Sequence, residues 1–237
     1  MKRKLLVAAV LACMAMCALE FRKSVQDTQY QVATLEGQLN SITDRTAVVA
    51  GLDSIGVITD GLGFGSCVAI EPNMVLTAGH CISHDGAYVE IAGQRYEILN
   101  EWRDDEYDVG FVVIDGLITP LELGEMPSVL DEVYLVGSPY CIELSNTITK
   151  GIVSHLSRDV FDWIDLIQAD AEGAFGSSGG PLLDVSGRVI GICVAGPNPG
   201  GGVTLSEPVS HIREALARFR EGLHTSDGEL HTSDGEL

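Results

Sequence analysis

Three short stretches carry side chains able to cooperate in one reaction. "NMVLTAGHC", Asn73 to Cys81, ends a hydrophobic run in a small-residue turn that presents His80. "DEYDVGFVVID", Asp105 to Asp115, puts Asp108 at the start of an apolar strand, and "GSSGGPL", Gly176 to Leu182, sets Ser178 among glycines. A serine hydroxyl is a poor nucleophile until an imidazole can take its proton. The imidazole in turn needs a carboxylate to fix its tautomer and stabilise its charged form. All three groups are present. Asp104, Asp105 and Glu106 read as solvated charges in a turn, whereas Asp108 is followed directly by "VGFVVI", which would bury it beside a core. His84, His155 and His211 read as ordinary surface or core histidines.

The glycine stretch has a second reading. "GSSGG", Gly176 to Gly180, also satisfies the G-x-S-x-G nucleophile elbow, with Asp184 and His211 following in that motif's order. An elbow requires a helix directly after the serine. Here the continuation is "GGPLLDVSGRVIGICVAG", two β runs joined by "DVSG", and Pro181 is unsuited to a helix interior. The hairpin reading therefore ranks first.

The elements around these stretches are short. From about Thr46 the chain shows brief β-branched or apolar runs broken by Gly, Asp, Asn and Pro, among them "AVVAG", "SCVAI", "AYVEIAG", "EVYLVG" and "NTITKGIVS". Such spacing predicts an all-β sandwich or barrel. One helix is expected late, over Ser210 to Leu223, with Ile212, Leu216, Phe219 and Leu223 on one face and Ser210 as its cap.

The N-terminal part differs. Lys2, Arg3 and Lys4 precede the apolar run Leu5 to Leu19, the layout of an export signal. At about 15 residues the run falls short of the roughly 18 to 20 of a membrane-spanning helix, yet no clean cleavage site follows. Residues 1–19 are thus expected to be a signal peptide or a signal anchor, placing the protein outside the cytoplasm, secreted or tethered to a membrane. Val25, Thr28, Val32, Leu35, Leu39 and Ile42 then recur at heptad spacing, which predicts a spacer helix over 20–45 with self-association through 25–42 as one use. The last fourteen residues repeat "HTSDGEL" and are expected to be disordered over 224–237.

Composition excludes several functions. The formal net charge of −20 leaves no broad basic surface for nucleic acid. No C-x-x-C, H-E-x-x-H, phosphate loop or dinucleotide fingerprint occurs, so no metal or cofactor is implied.

Taken together, "LTAGHC", "YDVGFVVI" and "GSSGGP" resemble the three catalytic motifs of chymotrypsin-like serine proteases, in the family's order of His80, Asp108 and Ser178. The short intervals between them resemble bacterial members of the high-temperature-requirement and glutamyl-endopeptidase type, and the resemblance covers about 46–223. It implies two packed antiparallel six-stranded β-barrels with a C-terminal helix, preceded by the N-terminal helical segment. The implied activity is that of a serine endopeptidase acting on peptides or proteins through an acyl-enzyme, losing rate as His80 protonates below about 6.5. The alternative is a catalytically silent relative that binds peptides or partners.

By the same resemblance, the backbone N–H groups of Gly176 and Ser178 form an oxyanion hole. Ser177 stands where the digestive enzymes carry an Asp that pairs with a freed N-terminus, so activation by that ion pair is not expected. Glu172 would lie near the floor of the specificity pocket and favour basic residues, whereas the pocket of the bacterial type is built differently and often takes small aliphatic ones; Phe175 would also narrow it. "CVAG", Cys193, Val194, Ala195 and Gly196, with Gly202 to Leu205, would form its wall. Cys67 and Cys81 resemble the family's histidine-loop disulfide, with Cys67 a few positions late.

Overall fold

The computed structural model describes residues 2–82, 86–160, 163–196 and 202–226. A first helix, α1, spans Lys2–Ala50. Contacts divide the chain at Arg45 and Thr46 into two units. Within the first unit Val25, Val32, Leu35, Leu39 and Ile42 are exposed, and Thr28 Oγ1 donates back to the carbonyl of Ser24. Among the described residues no helix is long and apolar enough to cross a membrane.

The second unit begins within α1. "AVVAG", expected as a strand, is the last turn of α1. Burial of Val48 in the core and the Gly51 amide, which donates to the carbonyls of Ala47 and Val48, outweigh the β preference of the paired valines.

Twelve strands follow among the described residues. β1 (Ile55–Thr59), β2 (Phe64–Glu71), β3 (Met74–Ala78), β4 (Tyr88–Ile91), β5 (Gln94–Arg103) and β6 (Val109–Ile114) close into one barrel in the order β1-β2-β3-β6-β5-β4. β7 (Glu132–Gly137), β8 (Thr147–Val160), β9 (Trp163–Ala169), β10 (Pro181–Leu183), β11 (Val189–Ala195) and β12 (Thr204–Pro208) repeat that order in a second. All strand pairings within the two barrels are antiparallel. Helix α2 (Val209–Ser226) closes the described chain. It runs into the first "HTSDGEL" copy, so the expected disorder does not begin at 224; residues 227–237 lie outside the described residues.

The period of two along each strand sorts side chains between cores. Val75, Val112 and Cys67 fill the first barrel, and Leu135, Ile190 and Cys193 fill the second. Their neighbours Leu76, Phe111, Val136 and Ile192 face a third core shared by both barrels and α2. Strands buried on two faces read as continuous apolar runs, which is why "NMVLTA" and "GRVIGICVAG" show little alternation. Helix α2 docks through Phe219, whose ring lies 5.6 Å from Phe111 and 5.7 Å from Trp102.

Its polar face does a separate job. Arg218 donates from Nε and Nη2 to the two oxygens of Asp104 at 2.8 and 2.9 Å. The Asp104 side chain is 0 % exposed, a correction to its reading as a solvated turn charge. Burial pushes the Asp104 carboxyl up, but the Arg218 fork and the amides of Tyr107 and Glu106 overrule it and hold it below the usual carboxylate range. A depressed carboxyl contributes stability that is present above its unfolded value and lost as pH falls through its folded one. Arg218→Met is therefore expected to destabilise the fold by about 3 kcal/mol at pH 7, measured by denaturant unfolding. The gap between variant and wild type should narrow below about pH 4, as Asp104 takes a proton and no longer needs the cation.

Candidate active site

His80 occupies a single 3₁₀ turn, Gly79–Cys81, that β3 runs into. Asp108 immediately precedes β6, the neighbour of β3, and the Ala78–Val109 pairing brings the two ends together. The Asp108 carboxylate takes two hydrogen bonds from one residue: Oδ1 accepts from the His80 amide at 2.8 Å, and Oδ2 lies 2.5 Å from His80 Nδ1. The Asp108 carbonyl accepts from the Gly79 amide at 3.0 Å. A Cβ at Gly79 would lie 3.0 Å from Asp108 Oδ1, so a larger residue there would crowd the carboxylate.

This contact sets the electrostatics. The hydrogen bond to Asp108, assisted by one to the Cys81 side chain, raises His80 to about 10 against the opposing cost of burial. Asp108 itself is shielded, with a side chain 10 % exposed, whereas that of His80 is 42 % exposed and open to the cleft.

Ser178 lies between two glycines in the left-handed region, Gly176 with φ +92° and Gly179 with φ +82°. The loop is fastened at many points. Gly179 N donates to the Cys193 carbonyl and Gly180 N to the Ser177 carbonyl, while Ser66 N donates to the Ser178 carbonyl at 2.7 Å. A Cβ at Gly179 would run into the Ser66 carbonyl and Thr77 Oγ1, which explains why no side chain stands there. Ser177 is buried, and its Oγ accepts from Ala174 N at 3.2 Å, a local pin within the turn. The Phe175 carbonyl accepts from Tyr140 N at 2.6 Å. In a trans peptide the N–H points opposite to the C=O, so this bond turns the Gly176 N–H away from Tyr140. Tyr140 holds a left-handed φ of +68° to do this, an uncommon conformation for an aromatic residue.

His80, Ser178, Gly176, Phe175 and Cys81 line one cleft with Ile58 and Phe64. Beside it, Gly173, Ala174, Phe175, Ser178, Cys193, Ala195 and Gly196 line a pocket of about 240 Å³, with no charged side chain among the described residues of its lining.

Several expected assignments change. Glu172 is exposed and is not part of the pocket lining; it contributes its carbonyl to Thr149 Oγ1. Val194 is 3 % exposed and packs in the shared core, because the strand alternation turns it away from the pocket. Cys193, Ala195 and Gly196 of the expected wall line this pocket, as does Phe175.

Cys67 and Cys81 are free thiols, as are Cys141 and Cys193. The residue of β2 that faces Cys81 is Gly65, two positions before Cys67, and a Cβ there would lie 2.5 Å from the Cys81 sulfur. Cys67 instead points into the first barrel, where burial pushes its thiol far up; burial likewise pushes Cys193 up to about 12. The elbow reading fails as well. Asp184 pairs with Arg188, His211 with Glu207, and β10 rather than a helix follows Ser178.

Sequence reasoning missed Ser66. Its Oγ donates to the Gly176 carbonyl at 2.8 Å and accepts from Ser138 N, tying the first barrel to the serine loop. The available signal was one hydroxyl inside the apolar run "GSCVAI".

A model of the trypsin-like peptidase domain matches residues 65–192. The chain belongs to the trypsin-like peptidase family. It is 31% identical over 174 residues to the mitochondrial serine protease HTRA2 of Bos taurus, covering 68% of this chain and 36% of that protein. It is 34% identical over 154 residues to a probable periplasmic serine endoprotease, DegP-like, of Brucella suis, covering 61% and 29%. The matches thus span about a third of the length of these curated relatives. Among solved structures, the serine endoprotease from Yersinia pestis superposes with a TM-score of 0.66 at 24% identity, covering 76% of this chain and 67% of that one. The Rv3671c protease of M. tuberculosis, in an inactive form, does so with a TM-score of 0.65 at 21% identity, covering 75% and 94%. These two likenesses carry the fold.

Replacing Asp108 by Asn removes the carboxylate that holds the proton on His80. The His80 titration in Asp108→Asn, followed by NMR, is expected to move down from the wild-type position towards the imidazole reference of about 6.5.

Proposed function

We propose that the chain is a serine endopeptidase. The observation that carries this reading is the His80–Asp108 contact of 2.5 Å at the edge of a cleft that Ser178 also lines. Ser178 Oγ attacks the peptide carbonyl while His80 takes its proton, and Asp108 orients the ring and stabilises the imidazolium. His80 then returns the proton to the leaving amine, and water hydrolyses the acyl-enzyme by the same steps in reverse. The Gly176 and Ser178 N–H groups receive the developing oxyanion, each such donor being worth about 3 to 4 kcal/mol of barrier. The Tyr140 bond to the Phe175 carbonyl supports this, because it leaves the Gly176 N–H free for the substrate. The intact His80, Asp108 and Ser178 set favours an enzyme over a silent peptide-binding relative.

The uncharged pocket between Cys193, Ala195 and Gly173 supports small or aliphatic residues on the acyl side of the cut. The basic leader followed by an apolar run, with a periplasmic protein among the relatives, supports an exported enzyme.

Kinetics test the reading. Ser178→Ala and Asp108→Asn are each expected to lower kcat/KM on a peptide substrate by about 10⁴-fold or more. His80 must be neutral to accept a proton, so kcat/KM should rise with pH through the His80 titration. Because Asp108 raises that titration to about 10, the limb should lie well on the alkaline side of the about 6.5 expected from an isolated imidazole. Activity already maximal at pH 6 would contradict the assignment of His80 as base. On a peptide library, cleavage after small aliphatic residues is expected; a preference for Lys or Arg would contradict the uncharged pocket.

A further inference from the structure

Asp108 is also gripped from a side that the proton transfer does not use. Its backbone N–H donates to Oε1 of Glu207 at 3.2 Å, across from one barrel to the other. Glu207, near the end of β12, is 2 % exposed, and its second oxygen lies 2.6 Å from Nδ1 of the buried His211 on the first turn of α2. Tyr107, next to Asp108, stacks on the His211 ring at 3.8 Å with 5° between the planes. Its hydroxyl donates to Glu214 at 2.8 Å, and the Arg218 guanidinium lies 5.1 Å from the same ring while forking onto Asp104. Positions 211, 214 and 218 share one helical face, so α2 holds the loop 104–108 along its length.

A carboxylate this buried is costly unless both oxygens are used. One is used by His211, and the other is used by the amide of the residue whose side chain meets His80. The amide lies one residue before β6, where releasing it would let the 104–108 loop shift the Asp108 Cα and carry the carboxylate away from the imidazole. Misplacement by about 1 Å can cost about 10²-fold in rate.

We propose that Glu207, oriented by His211, is a positioning residue for Asp108, and that α2 is the clamp that holds the acid loop of the first barrel against His80. Its consequence for rate rests on the proteolytic reading; the contact itself is readable without turnover. The charged and titratable groups around it are Glu207 from β12, His211, Glu214 and Arg218 from α2, and Asp104, Glu106 and Tyr107 from the loop. Arg103 of β5 reaches Gly79, and His80 and Cys81 close the turn after β3.

The test uses the full chain and two variants. Glu207→Leu/His211→Phe replaces the buried pair by apolar volume, a change such pairs often tolerate without loss of stability. Glu207→Gln keeps an acceptor for the Asp108 amide. In the double variant, with its melting transition retained, the His80 titration followed by NMR should move towards the imidazole reference. Its kcat should fall by about tenfold or more with KM within about twofold, and Glu207→Gln should restore most of that loss. An unmoved His80 titration in the folded double variant overturns the proposal, as does a Glu207→Gln enzyme as slow as the double variant. In the wild type, slow hydrogen exchange at the Asp108 amide is expected; exchange as fast as that of exposed loop amides overturns it without any variant. If the chain cleaves nothing, the proteolytic reading fails while the titration and exchange still decide the positioning role.

Discussion

The Asp108 carboxylate accepts from both the amide and the ring of His80, and strands of both barrels together with α2 keep that double contact in place. The two residues sit at the ends of neighbouring antiparallel strands, so the β3–β6 register fixes their separation. The loop before Asp108 is tied to α2 by the buried Asp104–Arg218 fork and by the Tyr107–His211 stack. Glu207 reaches across from the second barrel to the Asp108 amide. The contact also determines what the imidazole can do, because a carboxylate at 2.5 Å favours the protonated ring and moves the working range of a base upwards.

The serine side is built by a different device. Its geometry comes from backbone, with left-handed glycines at 176 and 179 and a set of amide-to-carbonyl bonds that leave the loop little freedom. Ser66 of the first barrel bonds to the Gly176 carbonyl, so the cleft is held by hydrogen bonds that cross it as well as by the shared apolar core beneath it. The barrels supply rigidity, and the few polar groups that cross between them set register. A small lateral shift of one barrel would break polar contacts at Ser66 and Glu207 together.

The parts of this arrangement legible in the sequence are those whose signal is local. His80 follows a short apolar run, Asp108 directly precedes one, and the glycines around Ser178 report their own backbone. The hairpin after Ser178 was readable from Pro181 and "DVSG". What could not be read depends on partners far along the chain. Asp104 looks like a turn charge until Arg218 arrives from α2, 114 residues later. Glu207 in "LSEPVSHI" carries no local sign that it will be buried against Asp108. Strand register misled the cysteine pairing, because the residue facing Cys81 is Gly65, and strand alternation turned Val194 into the core. Val48 and Val49 failed as a strand because one of them was needed as helical packing on the core.

Ser178 Oγ, made nucleophilic by His80, is the proposed attacking atom. Labelling the purified protein with a fluorophosphonate and locating the adduct by mass spectrometry tests this most directly. One adduct is expected, on Ser178, absent from His80→Ala. An adduct on Ser177, or none at all while the same preparation cleaves peptides, would contradict it.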